Sequence, residues 1–406
     1  MIFDALNDTR VVDLTHYIAG PYATRLLAQL GAEIIKVEPP QGEGGRRLGP
    51  FHDAVATDTA HIDRGALFAF LNADKLGVTL NLKHPRAREL LCHLLAAADL
   101  LVENFAPGTL TRLGLDPALL LDRFPKLSIV SISNFGQDGP DRDSPLNDIV
   151  LAARGGWTYA VGDPAREPLS PPGSLAQYVG AVYAAIGGLQ ALLARDLGHG
   201  RGQHVDISLL EATVATMIYD TVTFQYTGIV RERAGKRYAV GPFLLVTVRC
   251  RDGYAGLHCV SDLQFQSLFA MMGRPELAAD EKFSRAIARM ANNDELLAIV
   301  EEFFARHDAD WLYAQGRARA IPIVPIPTAA QVLEWEQLKA RSYFETIDDP
   351  VLGKLRVPGG PLRFTSNRPA PSRPAPRLGE HNRIVLGDRL GLATEELARL
   401  RAEGII

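Results

Sequence analysis

Short apolar runs and amphipathic stretches alternate along the first part of the chain. The apolar runs at residues 10–14 and 32–37 each predict a short buried strand. Between them, residues 22–30 place apolar side chains at three- and four-residue steps, which predicts a helix, and Gly31 follows where a helix commonly ends. Two strands joined by such a helix predict a βαβ unit with parallel strands.

The same alternation continues further along the chain. Strands are predicted over residues 77–82, 100–103, 128–132 and 205–208, and helices over residues 86–98 and 178–197. Helices that alternate with apolar strands are typical of a doubly wound α/β domain built on a parallel sheet.

The pattern changes near residue 227. Residues 227–238 are polar and rich in arginine, and residues 244–248 and 254–258 flank an Asp-Gly turn that predicts a hairpin. We therefore predict three segments: 1–225, the N-terminal part of a large α/β domain; 226–325, a small α+β domain with its linkers; and 326–406, a C-terminal return to the large domain.

Composition narrows the class of protein. The 406 residues are 47% hydrophobic and 22% charged, with a formal net charge of −4, which argues against a nucleic-acid surface. No apolar run approaches the roughly 18 residues of a membrane-spanning helix, and residues 1–10 lack the cationic start of a signal peptide. Cys92, Cys250 and Cys259 have no metal-ligand spacing. We expect a cytoplasmic protein without a metal, a nucleic-acid partner or a membrane partner.

Seven segments carry a family resemblance. They are VDLTHYIAGPY (12–22), LGAEIIKVE (30–38), LNADK (71–75), ENFAPG (103–108), FGQDGP (135–140), GRGQHVDISLLEA (200–212) and RLGEH (377–381). In this order and spacing they resemble the class III (family III, CaiB/BaiF-type) CoA-transferases, which include formyl-CoA transferase. The resemblance extends over nearly the whole chain.

The resemblance implies a fold and a substrate. The family has a large Rossmann-like α/β domain formed by both termini and a small inserted α+β domain, and two chains interlock as rings in a dimer. Coenzyme A, carried as an acyl-CoA, is the substrate, and no metal takes part.

The resemblance also implies which residues bind CoA. His16, Ile18 and Ala19 would line the adenine and ribose, Lys75 and Arg112 would meet phosphates, and Asn104, Phe105 and Asn134 would border the rest of the molecule. Each has a structural alternative: the two cations could be ordinary solvated side chains, His16 a structural histidine, and Asn104 and Phe105 a turn after a strand.

Gln177 occupies the position of the family's nucleophilic aspartate. A carboxylate attacks a thioester, whereas an amide does not, because its nitrogen lone pair is delocalised into the carbonyl. Asp163 and Glu167 lie at least ten residues before this position. The racemase branch of the superfamily is disfavoured as well, because Asn147 stands where that branch has a histidine.

A silent-subunit hypothesis accommodates these observations. The chain resembles the non-nucleophilic subunit of a heteromeric benzylsuccinate-type CoA-transferase of anaerobic toluene degradation. Such an enzyme takes CoA from succinyl-CoA to (R)-benzylsuccinate or a related substituted succinate, and a homologous subunit supplies the aspartate. Two alternatives remain open: a homodimeric CoA-transferase that uses another residue, and a non-catalytic acyl-CoA binding protein.

Overall fold

The computed structural model describes residues 5–51, 62–198, 200–237, 243–365 and 372–406. Its strands are β1 (Arg10–Asp13), β2 (Glu33–Glu38), β3 (Lys75–Thr79), β4 (Leu100–Glu103), β5 (Ser128–Ser133), β6 (His204–Ser208), β7 (Leu244–Cys250), β8 (Gly253–Cys259), β9 (Ile323–Pro325), β10 (Phe344–Asp349) and β11 (Gly353–Pro358).

Helices connect these strands. They are α1 (Ala19–Gln29), α2 (Ala66–Leu71), α3 (Pro85–Leu95), α4 (Thr109–Arg112), α5 (Pro117–Arg123), α6 (Asp148–Arg154), α7 (Trp157–Ala160), α8 (Leu175–Leu197), α9 (Leu209–Ala215), α10 (Ile218–Thr227), α11 (Asp262–Met271), α12 (Ala286–Ala291), α13 (Asn293–Phe304), α14 (Ala309–Ala318), α15 (Ala329–Glu334), α16 (Glu336–Ala340) and α17 (Thr394–Ala402). Short 3₁₀ turns (Gly44–Arg47, Pro275–Ala278) and a π-helix (Arg383–Arg389) complete the regular structure of the described residues.

The chain divides into two compact units. The first comprises residues 1–155, 172–219 and 337–406, and the second comprises residues 156–171 and 220–336. Residues 156–171 therefore group with the second unit, although they fall inside the predicted 1–225 segment. The predicted domain bounds remain a prediction.

A parallel sheet forms the centre of the first unit. Its strand order is β3-β2-β1-β4-β5-β6, and every neighbouring pair is parallel. This is the Rossmann order, in which the chain winds outward from the middle in both directions. The predicted doubly wound α/β architecture is confirmed.

The core of the first unit joins both ends of the chain. Buried aliphatic residues of β1, β2, β4 and α3 pack against Val385, Leu386, Leu400, Ile405 and Ile406 from the C-terminal segment. Burial of each such side chain contributes on the order of 2 kcal/mol. The same unit contains the antiparallel pair β10–β11, which the sequence analysis did not predict.

The second unit has its own sheet and core. Strands β7, β8 and β9 pair antiparallel, and β7–β8 is the predicted hairpin around Asp252-Gly253. Phe265, Phe269, Phe283 and Phe304 are buried beside this sheet.

The predicted boundaries of two elements were wrong. Helix α1 begins at Ala19 rather than at residue 22, because a proline such as Pro21 is tolerated in a first turn whose N–H groups lack helical partners. Strand β3 covers Lys75–Thr79 rather than residues 77–82, since it aligns with β2 from Lys75 onward.

Helix α8 corrects another expectation. Its 23 residues are long and apolar enough to cross a membrane by length and composition alone, whereas the sequence analysis found no such run. Half of its most apolar window is buried in the structure, and the helix packs against α1, α9 and β5 within the first unit. Here it serves as a core helix.

Candidate functional site

The strand order places a topological switch point between β1 and β4. From β1 the chain proceeds to β2 and β3 on one side, and from β4 it proceeds to β5 and β6 on the other. The loops that follow β1 and β4 therefore leave the carboxyl edge of the sheet in opposite directions. In open α/β sheets this crevice is where ligands bind.

Two hydrogen bonds and one ring contact connect these loops. The backbone N–H of His16 donates to Asn104 Oδ1 at 2.8 Å, and Asn104 Nδ2 donates to the His16 carbonyl oxygen at 2.8 Å. The rings of His16 and Phe105 meet edge to face, with centroids 5.4 Å apart. Burial and the nearby Lys36 ammonium lower the pKa of His16, so its neutral form is favoured at pH 7.

Helix α1 begins directly after the first loop. Ile18 precedes it, Ile18 and Ala19 are both buried, and no side chain of the described residues caps the helix. A Cβ at Gly20 would lie 2.2 Å from the Thr15 Cβ, so only glycine permits this close approach. The uncapped N–H groups at the start of an 11-residue helix thus lie at the switch point.

A buried ion pair lies beneath the first loop. Lys75 Nζ lies 3.0 Å from Asp13 Oδ2 and also donates to the Pro21 carbonyl oxygen and to Asn72 Oδ1. Burial would raise the pKa of Asp13, but the Lys75 and Lys36 ammonium groups lower it well below its usual range. Burial lowers the pKa of Lys75, which Asp13 opposes. All three Lys75 N–H donors are therefore used inside the chain.

A second buried ion pair follows β2. Arg46 donates from Nε and Nη2 to the two carboxylate oxygens of Glu38, both at 2.7 Å, and its guanidinium stacks 4.0 Å from the Phe68 ring centroid. Because Arg46 is buried in this pair, an external anion reaches its guanidinium only if the pair opens.

Glu103 lies at the end of β4, below the second loop. It accepts a hydrogen bond from the backbone N–H of Phe105 at 2.8 Å and one from Ser131, which also contacts His204 Nε2 at 2.9 Å. Burial raises the pKa of Glu103 to about 7, and these hydrogen bonds oppose the rise only in part. The acid that supports Phe105 therefore titrates near neutral pH.

Arg112 and Asn134 lie on separate loops at the same sheet edge. Arg112 ends α4, which follows the β4 loop, and its exposed guanidinium donates to Thr109 Oγ1 at 2.7 Å. Asn134 directly follows β5, and its backbone carbonyl oxygen accepts a hydrogen bond from the backbone N–H of Leu210 at 3.0 Å. The structure thus brings His16, Asn104 and Phe105 into direct contact, and it places Arg112 and Asn134 after neighbouring strands.

Gln177 lies in the first turn of α8. The next residue, Tyr178, meets the ring of Tyr22 of α1 edge to face, with ring centroids 4.9 Å apart.

Ser174, which precedes α8, hydrogen-bonds to the Asp148 carboxylate. Burial raises the pKa of Asp148, and its Oδ1 has no hydrogen-bond partner among the described residues. Asn147 accepts from the Val150 N–H and so caps α6.

Two residues of this region were missed by the sequence analysis. Asp148 was not among the candidate site residues, although a carboxylate close to the missing nucleophile is a chemical signal. Arg142 follows the FGQDGP segment and was not considered; its guanidinium approaches Gly108 together with that of Arg112. In the described part of the chain no group of three metal-ligating side chains is found.

Two cavities of the first unit lie elsewhere. One of about 270 Å³ is lined by Arg46, Lys75, Arg373, Arg377 and His381 among others. A larger one of about 780 Å³ lies between α1, α8 and the segment around Phe364. Neither includes His16, Asn104 or Gln177 in its lining, so the candidate site rests on the switch point.

Comparison with known proteins identifies the family of this chain. Residues 6–382 match the family model described as CoA-transferase family III. The chain is 32% identical to a succinyl-CoA–D-citramalate CoA-transferase of Chloroflexus aurantiacus, over 99% of this chain and 98% of that protein. It is also 32% identical to the beta subunit of the succinyl-CoA–L-malate CoA-transferase of the same organism, over 99% and 98% of the two chains. The crystal structure of a CAIB/BAIF family protein from Brucella suis superposes with a TM-score of 0.82, at 31% identity, over 94% of this chain and 98% of that one.

Proposed function

Because this chain belongs to the family III CoA-transferases, we propose that it is the non-nucleophilic, CoA-binding subunit of a heteromeric cytoplasmic enzyme. The enzyme moves CoA from succinyl-CoA to a substituted succinate. A homologous subunit carries the catalytic aspartate, and the two chains interlock. The observation that carries the proposal is Gln177, an amide at the start of α8 where the family has its carboxylate.

The chemistry explains why the amide matters. In the family reaction a carboxylate attacks the acyl-CoA thioester, forms a mixed anhydride and releases the CoA thiolate. The thiolate then attacks the anhydride at the enzyme carbonyl, which gives an enzyme thioester and frees the donor acid. The acceptor acid reverses both steps and leaves as its CoA thioester. Gln177 cannot form the anhydride, so the nucleophile comes from the partner.

The acceptor class follows from shared chemistry. Malate and citramalate, named in two relatives, are succinates with a substituent on the carbon chain, as is (R)-benzylsuccinate. The beta-subunit name of one relative supports a heteromeric assembly for this chain. We therefore propose a substituted succinate as acceptor, and benzylsuccinate is the member with an aromatic substituent.

The switch point supplies the CoA site in this proposal. His16, Ile18 and Ala19 line the adenine and ribose, Asn104 and Phe105 border the pantetheine, and Asn134 lies near it. Arg112 meets a phosphate. Lys75 was given a phosphate as well, but its donors are engaged by Asp13, Asn72 and Pro21, so it supports the loop from below.

The test is reconstitution. The chain is co-expressed with a homologous subunit that has aspartate at the position of Gln177, and transfer of CoA from succinyl-CoA to (R)-benzylsuccinate, malate and citramalate is measured. We expect activity in the mixture and none from this chain alone. Turnover by the purified single chain at a rate equal to that of the mixture would refute the silent-subunit role.

One observation favours a second candidate, a homomeric transferase that uses another acid. Asp148 presents an unpartnered, buried carboxylate oxygen and hydrogen-bonds to Ser174, three positions before Gln177. In that case the chain alone is active, and incubation with succinyl-CoA gives a borohydride-reducible adduct on Asp148. The Asp148→Asn variant then forms no adduct. A third candidate, an acyl-CoA binding protein, predicts CoA affinity and no turnover in any mixture.

A further inference from the structure

A chain of hydrogen bonds runs from the surface of β6 to the loop after β4. His204 of β6 reaches solvent, and its Nε2 lies 2.9 Å from the hydroxyl oxygen of Ser131 in β5. Ser131 is buried and hydrogen-bonds to Glu103 at the end of β4. Glu103 in turn accepts the backbone N–H of Phe105 at 2.8 Å. The chain therefore connects solvent with the loop that the proposed function places beside CoA.

The register of the sheet produces this alignment. Glu103 pairs with Ser131 across β4 and β5, and Ser131 pairs with Asp206 across β5 and β6. His204 lies two residues before Asp206 on β6, and side chains two residues apart point to the same face of a strand. Three adjacent strands thus bring a carboxyl, a hydroxyl and an imidazole group together on one face of the sheet.

Glu103 is an unusual residue for this buried position. In the described part of the chain no cation pairs with it, and the charged group that faces it, Asp206 of β6, is negative. A buried carboxylate without a cation lowers stability. Stability alone therefore does not favour a carboxyl group here. Its hydrogen bond to Phe105 is the feature that distinguishes it from an apolar side chain.

We propose that Glu103 is a positioning residue for the loop that carries Phe105, and that Ser131 and His204 couple it to protons in solution. The proposal rests on the CoA-binding role given above. An ionised Glu103 accepts a charge-assisted hydrogen bond from the Phe105 N–H, which is roughly twice as strong as a neutral one and fixes the loop. A protonated Glu103 accepts a weaker bond, and the loop is held less firmly.

The chain of hydrogen bonds can carry one proton inward. With Glu103 ionised, His204 Nε2–H donates to the Ser131 oxygen, and the Ser131 hydroxyl donates to Glu103. When His204 Nδ1 takes a proton from water, Nε2 passes its own proton to Ser131, and Ser131 passes its hydroxyl proton to Glu103. One proton has then entered, and the imidazole is neutral again with its proton on Nδ1. Partial burial lowers the pKa of His204, which Asp206 and Asp116 oppose, so the neutral ring is favoured at pH 7.

Calorimetric titration of the wild-type assembly with CoA and with dephospho-CoA, between pH 6 and pH 8, tests the positioning role. Dephospho-CoA is included because a phosphate monoester, such as the 3′-phosphate of CoA, itself titrates near pH 6. The variants are Glu103→Gln, Ser131→Ala and Ser131→Thr. Ser128→Ala is the matched control, because Ser128 is also buried in β5 but its hydroxyl has no hydrogen-bond partner among the described residues. Thermal unfolding shows whether each variant is folded.

We expect the wild-type assembly to bind dephospho-CoA about fivefold more weakly at pH 6 than at pH 8, because the bond to Phe105 is no longer charge-assisted. Glu103→Gln cannot ionise, so its affinity is the same at both pH values. Ser131→Ala removes a hydrogen bond to the ionised carboxylate and moves the midpoint of the pH dependence upward. Ser131→Thr restores the midpoint, and Ser128→Ala leaves it unchanged.

Nitrogen-15 NMR of the His204 ring gives a readout that does not depend on CoA. The His204 signals are identified by their loss in His204→Gln. We expect the proton on Nε2 at pH 8 and on Nδ1 at pH 6, because a protonated Glu103 reverses the direction of the hydrogen bonds. In Glu103→Gln one tautomer persists at both pH values. A single tautomer throughout in the wild-type chain overturns the coupling between His204 and Glu103.

The remaining failures are distinguishable. Folded Glu103→Gln with the same pH dependence of affinity as wild type overturns the positioning role and leaves the proposed function intact. A wild-type assembly in which this chain binds neither ligand overturns the CoA-binding role itself, whatever the tautomer of His204. If Glu103→Gln does not fold, Ser131→Ala decides: a midpoint identical to that of wild type argues against the role of Glu103.

Discussion

Asn104 and His16 are joined by two reciprocal hydrogen bonds, each 2.8 Å long, between the Asn104 side-chain amide and the backbone N–H and carbonyl groups of His16. These two bonds hold the loop after β1 against the loop after β4, at the switch point of the sheet. An amide is required because it both donates and accepts. The geometry of the proposed CoA site therefore depends on a single asparagine side chain.

Replacement of this amide tests that dependence. Asn104→Asp keeps the acceptor for the His16 N–H but loses the donor to the His16 carbonyl, and Asn104→Ala loses both. We expect CoA affinity to fall in the order wild type, Asp, Ala, by about tenfold for Ala, because unpaired polar groups cost about 1–3 kcal/mol. Calorimetry measures this. Asn81→Ala, at a loop asparagine that donates to Gly404, is the control, and equal affinity in all four proteins would contradict the prediction.

The buried ion pair predicts a stability effect. Lys75→Met leaves Asp13 charged and buried without its partner, which costs about 3–5 kcal/mol of unfolding free energy. Denaturant unfolding of the variant should show a correspondingly lower midpoint. Lys83→Met, at an exposed lysine, should change stability little. If Lys75→Met is as stable as wild type but loses CoA affinity, Lys75 contacts a phosphate instead.

Glu103 predicts a pH dependence. Its folded-state pKa is about 7, above the ordinary 4.5, so the folded state binds more protons than the unfolded state between these values. Its contribution to stability is therefore lost as the pH rises from about 4.5 to 7. Glu103→Gln removes this ionisation and should gain stability relative to wild type with rising pH, by at most about 3 kcal/mol. Denaturation at pH 5 and pH 8 measures it, and a constant difference between the two proteins at both pH values would disprove the assignment.

Gln177 predicts a gain of function. Gln177→Asp restores a carboxylate in the first turn of α8, so the single chain should form a covalent thioester with CoA when it is given succinyl-CoA. Peptide mass spectrometry after borohydride reduction locates the adduct. Gln177→Asn, of equal size but without a carboxylate, is the control. An adduct on the wild-type chain would instead place the nucleophile elsewhere, with Asp148 as the first residue to replace.

The alternation of apolar runs and amphipathic helices was enough to predict the parallel α/β sheet and the β7–β8 hairpin, because periodicity records which faces are buried. Boundaries such as the start of α1 were wrong, since Pro21 and Gly20 resemble a loop locally. The β10–β11 pair was missed as well. Its strands are held by pairing with each other and by contact of Ile347 with Ala73, which no local pattern encodes.

By itself, the sequence determined the family, the doubly wound fold and the absence of the carboxylate at position 177, because these follow from residue identity and order. Only the tertiary structure decided which partners each charged side chain has and how deeply it is buried. It enclosed Lys75 with Asp13, buried Glu103 beneath Phe105 and brought Arg142 to Arg112 above Gly108. A charged side chain acquires its role from its neighbours and its solvation, and both depend on residues distant in sequence.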